Sequence, residues 1–254
     1  MDKTIELAFD NYIKNYDRRK KEIRYKYKHS YEVEKLMEEL SDKLKLSKED
    51  KILAKNIGLL HDIGRFEQVK KYKACSDIKT KTDHADESCV YLFDKGHIRD
   101  FIEDSKNDEI IKDAIKNHNK YEISEKVTGR NLFFTKMIRD MDKVDIYRVM
   151  SEEHSFELIF DKNEIDSELL NDFKNHKPIK IKENKRKTDP ILIQLAFVYD
   201  INFKESIEIL QRTKYLDMYL NKIKCKKNSI EEFNKIKKEI YEYLDKKKEL
   251  LWKN

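Results

Sequence analysis

The stretch KNIGLLHDIGRFE, residues Lys55 to Glu67, decides the fold and the candidate chemistry of this chain. Its centre is the adjacent pair His61 and Asp62, which follows a segment whose apolar residues recur at helical spacing. A helix with one buried face would therefore deliver an imidazole and a carboxylate side by side. Gly64 follows closely and is expected to end or kink that helix. The apolar residues of the segment are Ile52, Leu53, Ile57 and Leu60.

The composition predicts an all-α protein. Of the 254 residues only 4 are Gly and 2 are Pro, while 41% are charged. Few turn-forming residues together with many Lys, Glu, Leu and Ile favour helices over strands. We see no internal repeat and no low-complexity linker. We therefore expect one domain over residues 1–150, including an N-terminal lead-in helix, and a C-terminal helical extension over residues 151–254 packed on it.

The charge pattern favours a solvated surface over a surface that binds nucleic acid. The 55 basic and 50 acidic residues give a formal net charge of +5, which is spread along the chain. No dense basic patch is interleaved with aromatic residues, so a lysine-rich solvated surface is the simpler interpretation.

The chain also lacks the sequence signals of a membrane or secreted protein. No apolar run approaches a membrane span, and no signal-peptide core follows Met1. Cys75, Cys89 and Cys225 are odd in number and have no close pairs, which indicates reduced thiols and no thiolate zinc site. We therefore expect a cytoplasmic protein without membrane contacts.

Three further segments each bring a histidine to an apolar helix. His29 opens an i, i+4, i+7, i+8, i+11 stripe, and His118 closes an i, i+3, i+4, i+7 stripe. His84 is expected in the first turn of a third helix. A lone histidine on such a face is more often a satisfied core residue than a ligand. The apolar neighbours are Val33, Leu36, Met37 and Leu40, then Val90, Tyr91 and Leu92, and finally Ile111, Ala114 and Ile115.

A fourth helix adds two carboxylates. In NLFFTKMIRDMDKVDIYRVM, Asp142 and Asp145 extend the apolar stripe of Phe134, Ile138 and Met141. An unpaired buried carboxylate is costly, so both need a cation, a hydrogen-bond cage or a metal.

Helix starts and loops can be placed from capping signals. Ser47 is expected to cap the helix of His61, Asp83 to cap that of His84, and Asn107 or Asp108 to start that of His118. Residues 65–83, rich in Lys and Tyr, are interpreted as a loop.

The C-terminal part is less regular. A short helix is expected over Ser167–Phe173, and an exposed basic stretch over Lys177–Lys187, for which a polyanion-binding strip is the alternative. Asp189 starts an apolar helix through Val198. The last helix, from about Ser229 to Leu251, could pack on the domain or pair with a second subunit, so a homo-oligomer stays open. Its predicted buried face is Ile230, Phe233, Ile236, Ile240, Leu244 and Leu251.

The unusual polar residues form a candidate metal-ligand set. Imidazole and carboxylate ligands without thiolates suit Mn, Fe, Ni or Co, with Zn or Mg as alternatives. Six ligands, with Asp62 able to bridge, would suit two divalent metals, a common device for cleaving phosphate esters. The set is His29, His61, Asp62, His84, His118 and Asp142.

The order of these residues resembles the HD-domain superfamily of metal-dependent phosphohydrolases, over about residues 25–150. The resemblance rests on His29, then His61-Asp62 inside a string close to the family's HDIG form, then Asp142 inside RDMDKVD. His84 and His118 resemble the extra ligands of the family's dinuclear branch, which includes cyclic-dinucleotide phosphodiesterases. The GYP signature of one such group is not found in the sequence.

The resemblance implies roles for individual residues. His29, His61, Asp62 and Asp142 would hold a first metal, and Asp62, His84 and His118 a second, with Asp62 as the catalytic bridging residue. Arg65 and Lys143 would contact substrate phosphate, although both could also be surface charges, and Asp145 would orient a ligand histidine. Glu67, Lys81 and Glu87 are candidate proton donors or acceptors, and His97, His154 and His176 are interpreted as surface residues.

The implied function is hydrolysis of a phosphate ester or phosphodiester, above all of a nucleotide or cyclic dinucleotide. Two alternatives remain open. An HD-type di-iron oxygenase would use the same six ligands and would consume oxygen. A non-catalytic binding module would keep the fold and bind no transition metal.

Overall fold

The computed structural model describes residues 4–152, 157–180 and 186–252. Helices dominate these residues, which confirms the all-α prediction. The sequence did not predict a small parallel sheet, in which strands β1 (Ile159–Phe160) and β2 (Lys224–Cys225) pair. Within the described ranges, no helix is both long and apolar enough to cross a bilayer.

The chain forms two compact units, Met1–Asp142 and Lys143–Asn254, and the division between them falls inside one long helix. The domain boundary at residue 150, which was inferred from the sequence, stays a prediction. The helices of the first unit are α1 (Ile5–Ile13), α2 (Lys21–Lys43), α3 (Lys48–Leu60), α4 (Gly64–Tyr72), α5 (Asp77–Thr80), α6 (His84–Cys89), a π-helical turn (Val90–Asp94), a 3-10 turn (His97–Asp100), α7 (Asp108–Asn117) and α8 (Gly129–Glu152), which continues into the second unit.

Capping side chains start the helices of the first unit where the sequence predicts them. Ser47 Oγ accepts from the Asp50 N–H at 3.1 Å, and Asp83 Oδ1 accepts from the Ala85 N–H at 2.9 Å. Both bonds satisfy N–H groups that a helix end leaves without partners. Helix α7 begins at Asp108, as predicted.

The core of the first unit is built from the predicted apolar stripes. Helix α2 packs along α3, and α6 packs against both α4 and α7. The stripes that begin at His29, end at His118 and lead to Asp142 are buried, which confirms those interpretations.

Two predictions for this unit are wrong. Residues 65–83 are not a loop: α4 and α5 lie there, because Phe66 and Val69 bury one face of α4 and Gly64 begins that helix. Ile52, predicted on the buried face of its helix, is 50% exposed.

The core of the second unit contains large aromatic side chains that are fully buried, namely Tyr147, Phe160, Phe173 and Tyr219. Helix α10 ends at Leu195 and continues as a 3-10 turn, so it is shorter than predicted. Ile230, predicted to be buried, is 47% exposed at the first position of the last helix. The other elements of this unit are α9 (Ser167–Lys174), α10 (Asp189–Leu195), a 3-10 turn (Ala196–Asp200), α11 (Lys204–Thr213), α12 (Tyr215–Lys222), a 3-10 turn (Lys227–Ser229) and α13 (Ile230–Trp252).

Candidate metal centre

A buried turn, residues 61–63, joins α3 to α4 and carries the His-Asp pair. The N–H of His61 donates to the Ile57 carbonyl at 2.9 Å, so the α3 pattern continues into the turn. The hydroxyl of Tyr12 in α1 donates to the Ile63 carbonyl at 3.1 Å. These bonds fix the backbone, and the side chains of His61 and Asp62 are almost fully buried.

Four predicted ligands meet in what we call the first cluster: His29, His61, Asp62 and Asp142. His29 Nε2 lies 3.1 Å from Asp142 Oδ1, 3.2 Å from His61 Nε2 and 3.4 Å from Asp62 Oδ2. His61 Nε2 lies 3.6 Å from both Asp62 Oδ2 and Asp142 Oδ1. Helices α2 and α8 and the buried turn each contribute to this cluster.

The other oxygen of Asp62 faces what we call the second cluster, which contains His84 and His118. Asp62 Oδ1 lies 3.3 Å from His84 Nε2 and 3.8 Å from His118 Nε2, and the two Nε2 atoms are 3.0 Å apart. One carboxylate therefore links both clusters, with Oδ2 in the first and Oδ1 in the second.

Hydrogen bonds on the far side of three rings orient their Nε2 atoms. Nδ1 of His61 lies 2.7 Å from the Gly58 carbonyl, and Nδ1 of His118 lies 2.7 Å from the Ile115 carbonyl. Nδ1 of His84 lies 2.6 Å from Asp77 Oδ2. A carbonyl or carboxylate only accepts, so each neutral ring donates from Nδ1 and presents a lone pair at Nε2.

These lone pairs and carboxylate oxygens fit a metal ion. Asp62 Oδ1 is buried and has no hydrogen-bond donor among the described residues, although buried polar atoms normally have one. Atoms bound at about 2.0–2.2 Å to one metal ion lie roughly 3–3.6 Å from each other, close to the separations in both clusters. Two groups of residues could therefore each hold an ion, one with His29 and His61 and one with His84 and His118.

Comparison with family models matches the HD domain over residues 27–147. That segment is an HD domain. Members of the family are generally metal-dependent phosphohydrolases, in agreement with the donor atoms gathered here. The match does not distinguish the HDIG form or the dinuclear branch, which stay predictions. Searches of curated proteins and of solved structures found no match to the chain.

Both carboxylates of the HD domain's clusters are held ionised. Burial raises the pKa of Asp62, but the Lys26 ammonium and the imidazoles of His61 and His29 outweigh burial and keep that pKa well below its ordinary value. Burial also raises the pKa of Asp142, while the neighbouring imidazoles of His29 and His61 hold it well below the ordinary value.

The imidazoles of the second cluster are held neutral. Burial, together with the neighbouring His84 and His61, lowers the pKa of His118 to about 3. Burial also lowers the pKa of His84, reinforced by the charge of Arg65. Ionised carboxylates beside neutral imidazoles are the protonation states that metal binding requires.

Two residues that the sequence interpretation missed contact this centre. Lys26 lies one helical turn before His29, and its Nζ is 2.5 Å from Asp62 Oδ2. Asp77, in α5, accepts from His84 and Arg65. The i−3 spacing of Lys26 from His29 was a usable signal, whereas Asp77 lay in a stretch interpreted as a loop.

Arg65 lies beside the second cluster. Its Nη1 is 2.7 Å from Asp77 Oδ1 and 2.7 Å from Gln68 Oε1. Its Nε is buried, has no hydrogen-bond acceptor among the described residues, and lies 3.9 Å from Asp62 Oδ1.

The remaining predicted residues have other contacts. Lys143 Nζ lies 2.8 Å from Asp200 Oδ2, and Asp145 accepts from Arg148 at 2.6 and 2.7 Å, all within the second unit. Their proposed roles toward phosphate and a ligand histidine stay predictions.

The candidate proton carriers and the other histidines lie in varied surroundings. Glu67 accepts from Tyr16 at 2.5 Å, whereas Lys81 is exposed and Glu87 half-buried. His97 is 42% exposed and His176 43% exposed at the side chain, and His154 lies outside the described residues.

Proposed function

We propose that this protein is a metal-dependent phosphohydrolase with two divalent metals bridged by Asp62. The observation that carries the proposal is the placement of the two Asp62 oxygens, each facing a different group of imidazole nitrogens. Lone pairs and anionic oxygens at 3.0–3.8 Å repel one another unless a cation lies between them.

The chain's residues divide naturally between the two metals. His29, His61, Asp62 Oδ2 and Asp142 would hold the first, and Asp62 Oδ1, His84 and His118 the second. When bound, divalent metals would supply an acidified water as the nucleophile and neutralise charge on the phosphoryl oxygens. Nitrogen and oxygen donors without thiolate favour Mn, Fe, Ni or Co, with Zn or Mg as alternatives.

Arg65 is the side chain best placed to bind the phosphoryl group. Asp77 and Gln68 fix one end of its guanidinium, and the buried Nε faces the second cluster. A guanidinium held in this way is preorganised for a phosphate oxygen and loses little conformational entropy on binding.

We further propose a small-molecule substrate, namely a nucleotide, a cyclic dinucleotide or another phosphate ester, in preference to nucleic acid. Each member of this class supplies the phosphoryl oxygens that the metals and Arg65 would bind. A cytoplasmic location also stays a proposal, in keeping with the free thiols of the three cysteines.

The test combines metal analysis with a substrate screen. Purified protein is assayed for bound metal and for hydrolysis of nucleotides, cyclic dinucleotides and simple phosphate esters. The double variant His84→Ala/His118→Ala should keep one metal per chain and lose most activity. His97→Ala, outside both clusters, is the matched control and should behave like wild type.

Three results would contradict the proposal. Full activity in the double variant would show that its two histidines are structural. Oxygen consumption without phosphate release would indicate a di-iron oxygenase. Protein that binds no transition metal at all would be a binding module.

A further inference from the structure

Asp77 is the acidic residue that connects the second cluster to Arg65. Its Oδ2 accepts from His84 Nδ1 at 2.6 Å, while its Oδ1 accepts from Arg65 Nη1 at 2.7 Å and from Gln68 Nε2 at 2.9 Å. Burial raises the pKa of Asp77, but His84 and Arg65 outweigh burial and hold that pKa below its ordinary value. The carboxylate is thus ionised and bonded at both oxygens.

The Asp77 bond sets His84 apart from the other two oriented rings. Nδ1 of His61 and of His118 each donate to a backbone carbonyl, whereas Nδ1 of His84 donates to a carboxylate. An anionic acceptor fixes the tautomer more strongly and makes Nε2 a better electron donor. Of these three rings, His84 is therefore the one whose affinity for a metal should depend most on a side chain behind it.

The backbone around Asp77 is held in place by its neighbours. Ser76 caps the short helix α5, and the Thr80 hydroxyl donates to the Ser76 carbonyl at 2.9 Å. Gln68 Nε2 lies 2.9 Å from Thr80 Oγ1 and 3.0 Å from Thr82 Oγ1. Helix α4 and the segment before His84 are thereby fastened together, with Asp77 between them.

We propose that Asp77 is a positioning residue that holds His84 as a ligand of the second metal and aligns Arg65 beside it. The inference rests on the two-metal function proposed above and deepens it. The first cluster does not contact Asp77 through any described hydrogen bond or ion pair, so loss of this carboxylate should affect the two metals unequally.

Asp77→Asn tests the role of the carboxylate at constant size. If the amide nitrogen faced His84, the ring would have to carry its proton on Nε2 and could no longer bind a metal there. If the amide oxygen faced His84, the nitrogen would point at two donors, Arg65 and Gln68, which disfavours this arrangement. The first arrangement is therefore expected, and it weakens the second site.

Metal titration separates the two sites. In Mn²⁺ titrations followed by electron paramagnetic resonance, wild type should bind two ions and show the signal of a coupled pair. Asp77→Asn should bind the first ion with wild-type affinity, while the dissociation constant of the second rises about 10–100-fold. Asp86→Asn is the matched control. Asp86 lies in the same helix as His84 and accepts a hydrogen bond from Lys120, so this variant loses a carboxylate and should still bind two ions normally.

A second readout concerns the ring itself. In metal-free protein labelled with ¹⁵N-histidine, the shifts of His84, assigned by comparison with His84→Gln, should report a proton on Nδ1 in wild type. In Asp77→Asn the proton should move at least partly to Nε2. Loss of the second metal with no change in this tautomer, and with a lowered melting temperature, would indicate only a structural role and overturn the inference.

The remaining outcomes distinguish this inference from the proposed function. Equal affinity for the second ion in wild type and Asp77→Asn overturns the role of Asp77 and leaves the two-metal proposal standing. A wild type that binds one Mn²⁺ or none overturns both.

Discussion

The backbone N–H of Gly64 donates to the Ser88 hydroxyl at 2.9 Å, and this bond joins α4 to α6 beside the candidate metal centre. Ser88 Oγ also lies 3.1 Å from the His61 carbonyl and 2.8 Å from the His84 carbonyl. Gly64 follows Asp62 by two residues, and Ser88 lies one turn after His84. Contact between α4 and α6 therefore places Asp62 Oδ1 next to His84 Nε2.

The first prediction concerns Gly64, where the structure leaves no room for a side chain. A Cβ atom there would lie 2.6 Å from the Ser88 nitrogen and 2.7 Å from the His84 carbonyl oxygen, both backbone atoms. Gly64→Ala should therefore push α4 and α6 apart, lower the free energy of unfolding by about 1–3 kcal/mol and weaken binding of the second metal. Denaturant unfolding and metal titration measure the two effects.

Ser88→Ala is the matched control for this prediction. It removes the same hydrogen bond without adding bulk, so its effect on the second metal should be smaller than that of Gly64→Ala. If Gly64→Ala unfolds like wild type and binds two ions normally, the contact does not set the spacing.

The second prediction concerns Lys26, whose ammonium lies 2.5 Å from Asp62 Oδ2 and is 21% exposed. Among the described residues its ion-pair partner is Asp62. In Lys26→Met the metal-free protein should lose about 1–3 kcal/mol of stability, because a buried carboxylate loses its counter-ion. The first metal should bind about tenfold more tightly, because a like charge next to it is gone. Thermal melts without metal and Mn²⁺ titrations measure these opposite effects.

The control for Lys26 lies on the same helix. Lys35 is 73% exposed and lies 3.8 Å from Glu32, so Lys35→Met removes the same charge away from the centre and should change neither quantity. A Lys26→Met protein with wild-type stability and metal affinity would mean that the ion pair with Asp62 contributes nothing.

Local signals account for the parts of the fold that could be predicted. The His29 stripe is buried because a 3.6-residue period aligns it on one face of α2. Ser47 and Asp83 start helices because their oxygens accept N–H groups only two or three residues away. The six candidate ligands follow in sequence order, so their number and types could be read before any geometry was known.

Longer-range contacts account for the parts that could not be predicted. Helix α4 has few apolar residues, and Phe66 is buried against Phe9, Tyr12 and Tyr16, which come much earlier in the chain. Lys26 meets Asp62 across 36 residues of chain. The spacing of apolar residues along one helix carries no information on such a pair.

The third prediction concerns pH and Glu34, a buried carboxyl group on α2. Burial, together with the charge of Glu6, raises the pKa of Glu34 from 4.5 to about 7, and Lys55 only partly opposes this. A carboxyl group whose pKa is raised in the folded state contributes its full stability to that state below pH 4.5. This contribution is lost as the pH rises through about 7. Glu34 donates a side-chain hydrogen bond to Glu6. Glu34→Gln keeps a donor there and cannot ionise. It should therefore be more stable than wild type at pH 8 by about 1–2 kcal/mol, and nearly equal at pH 4.5.

Melting temperatures at the two pH values test this prediction. Glu38→Gln is the control, because Glu38 is 39% exposed at the side chain and pairs with Lys51 and Lys55. It should give no gain in stability at pH 8. A Glu34→Gln variant that melts below wild type at pH 8 would show that Glu34 is ionised and favourably paired in the folded protein.

The last prediction concerns Asp62 and separates metal binding from folding. Asn has nearly the same shape as Asp, but its amide nitrogen cannot act as a ligand. At most one of the two clusters therefore keeps an oxygen from residue 62. Asp62→Asn should bind no more than one Mn²⁺ per chain, hydrolyse phosphate esters at least about 100-fold more slowly and keep its helical circular dichroism.

The metal-free variant should melt below metal-free wild type, because Lys26 loses its counter-ion. In the double variant Lys26→Met/Asp62→Asn part of that loss should be recovered, since neither charge is then left alone. Added Mn²⁺ should raise the melting temperature of wild type more than that of Asp62→Asn, because metal bound only by the folded state stabilises it. Wild-type metal content and hydrolysis in Asp62→Asn would rule out Asp62 as the bridge between the two clusters.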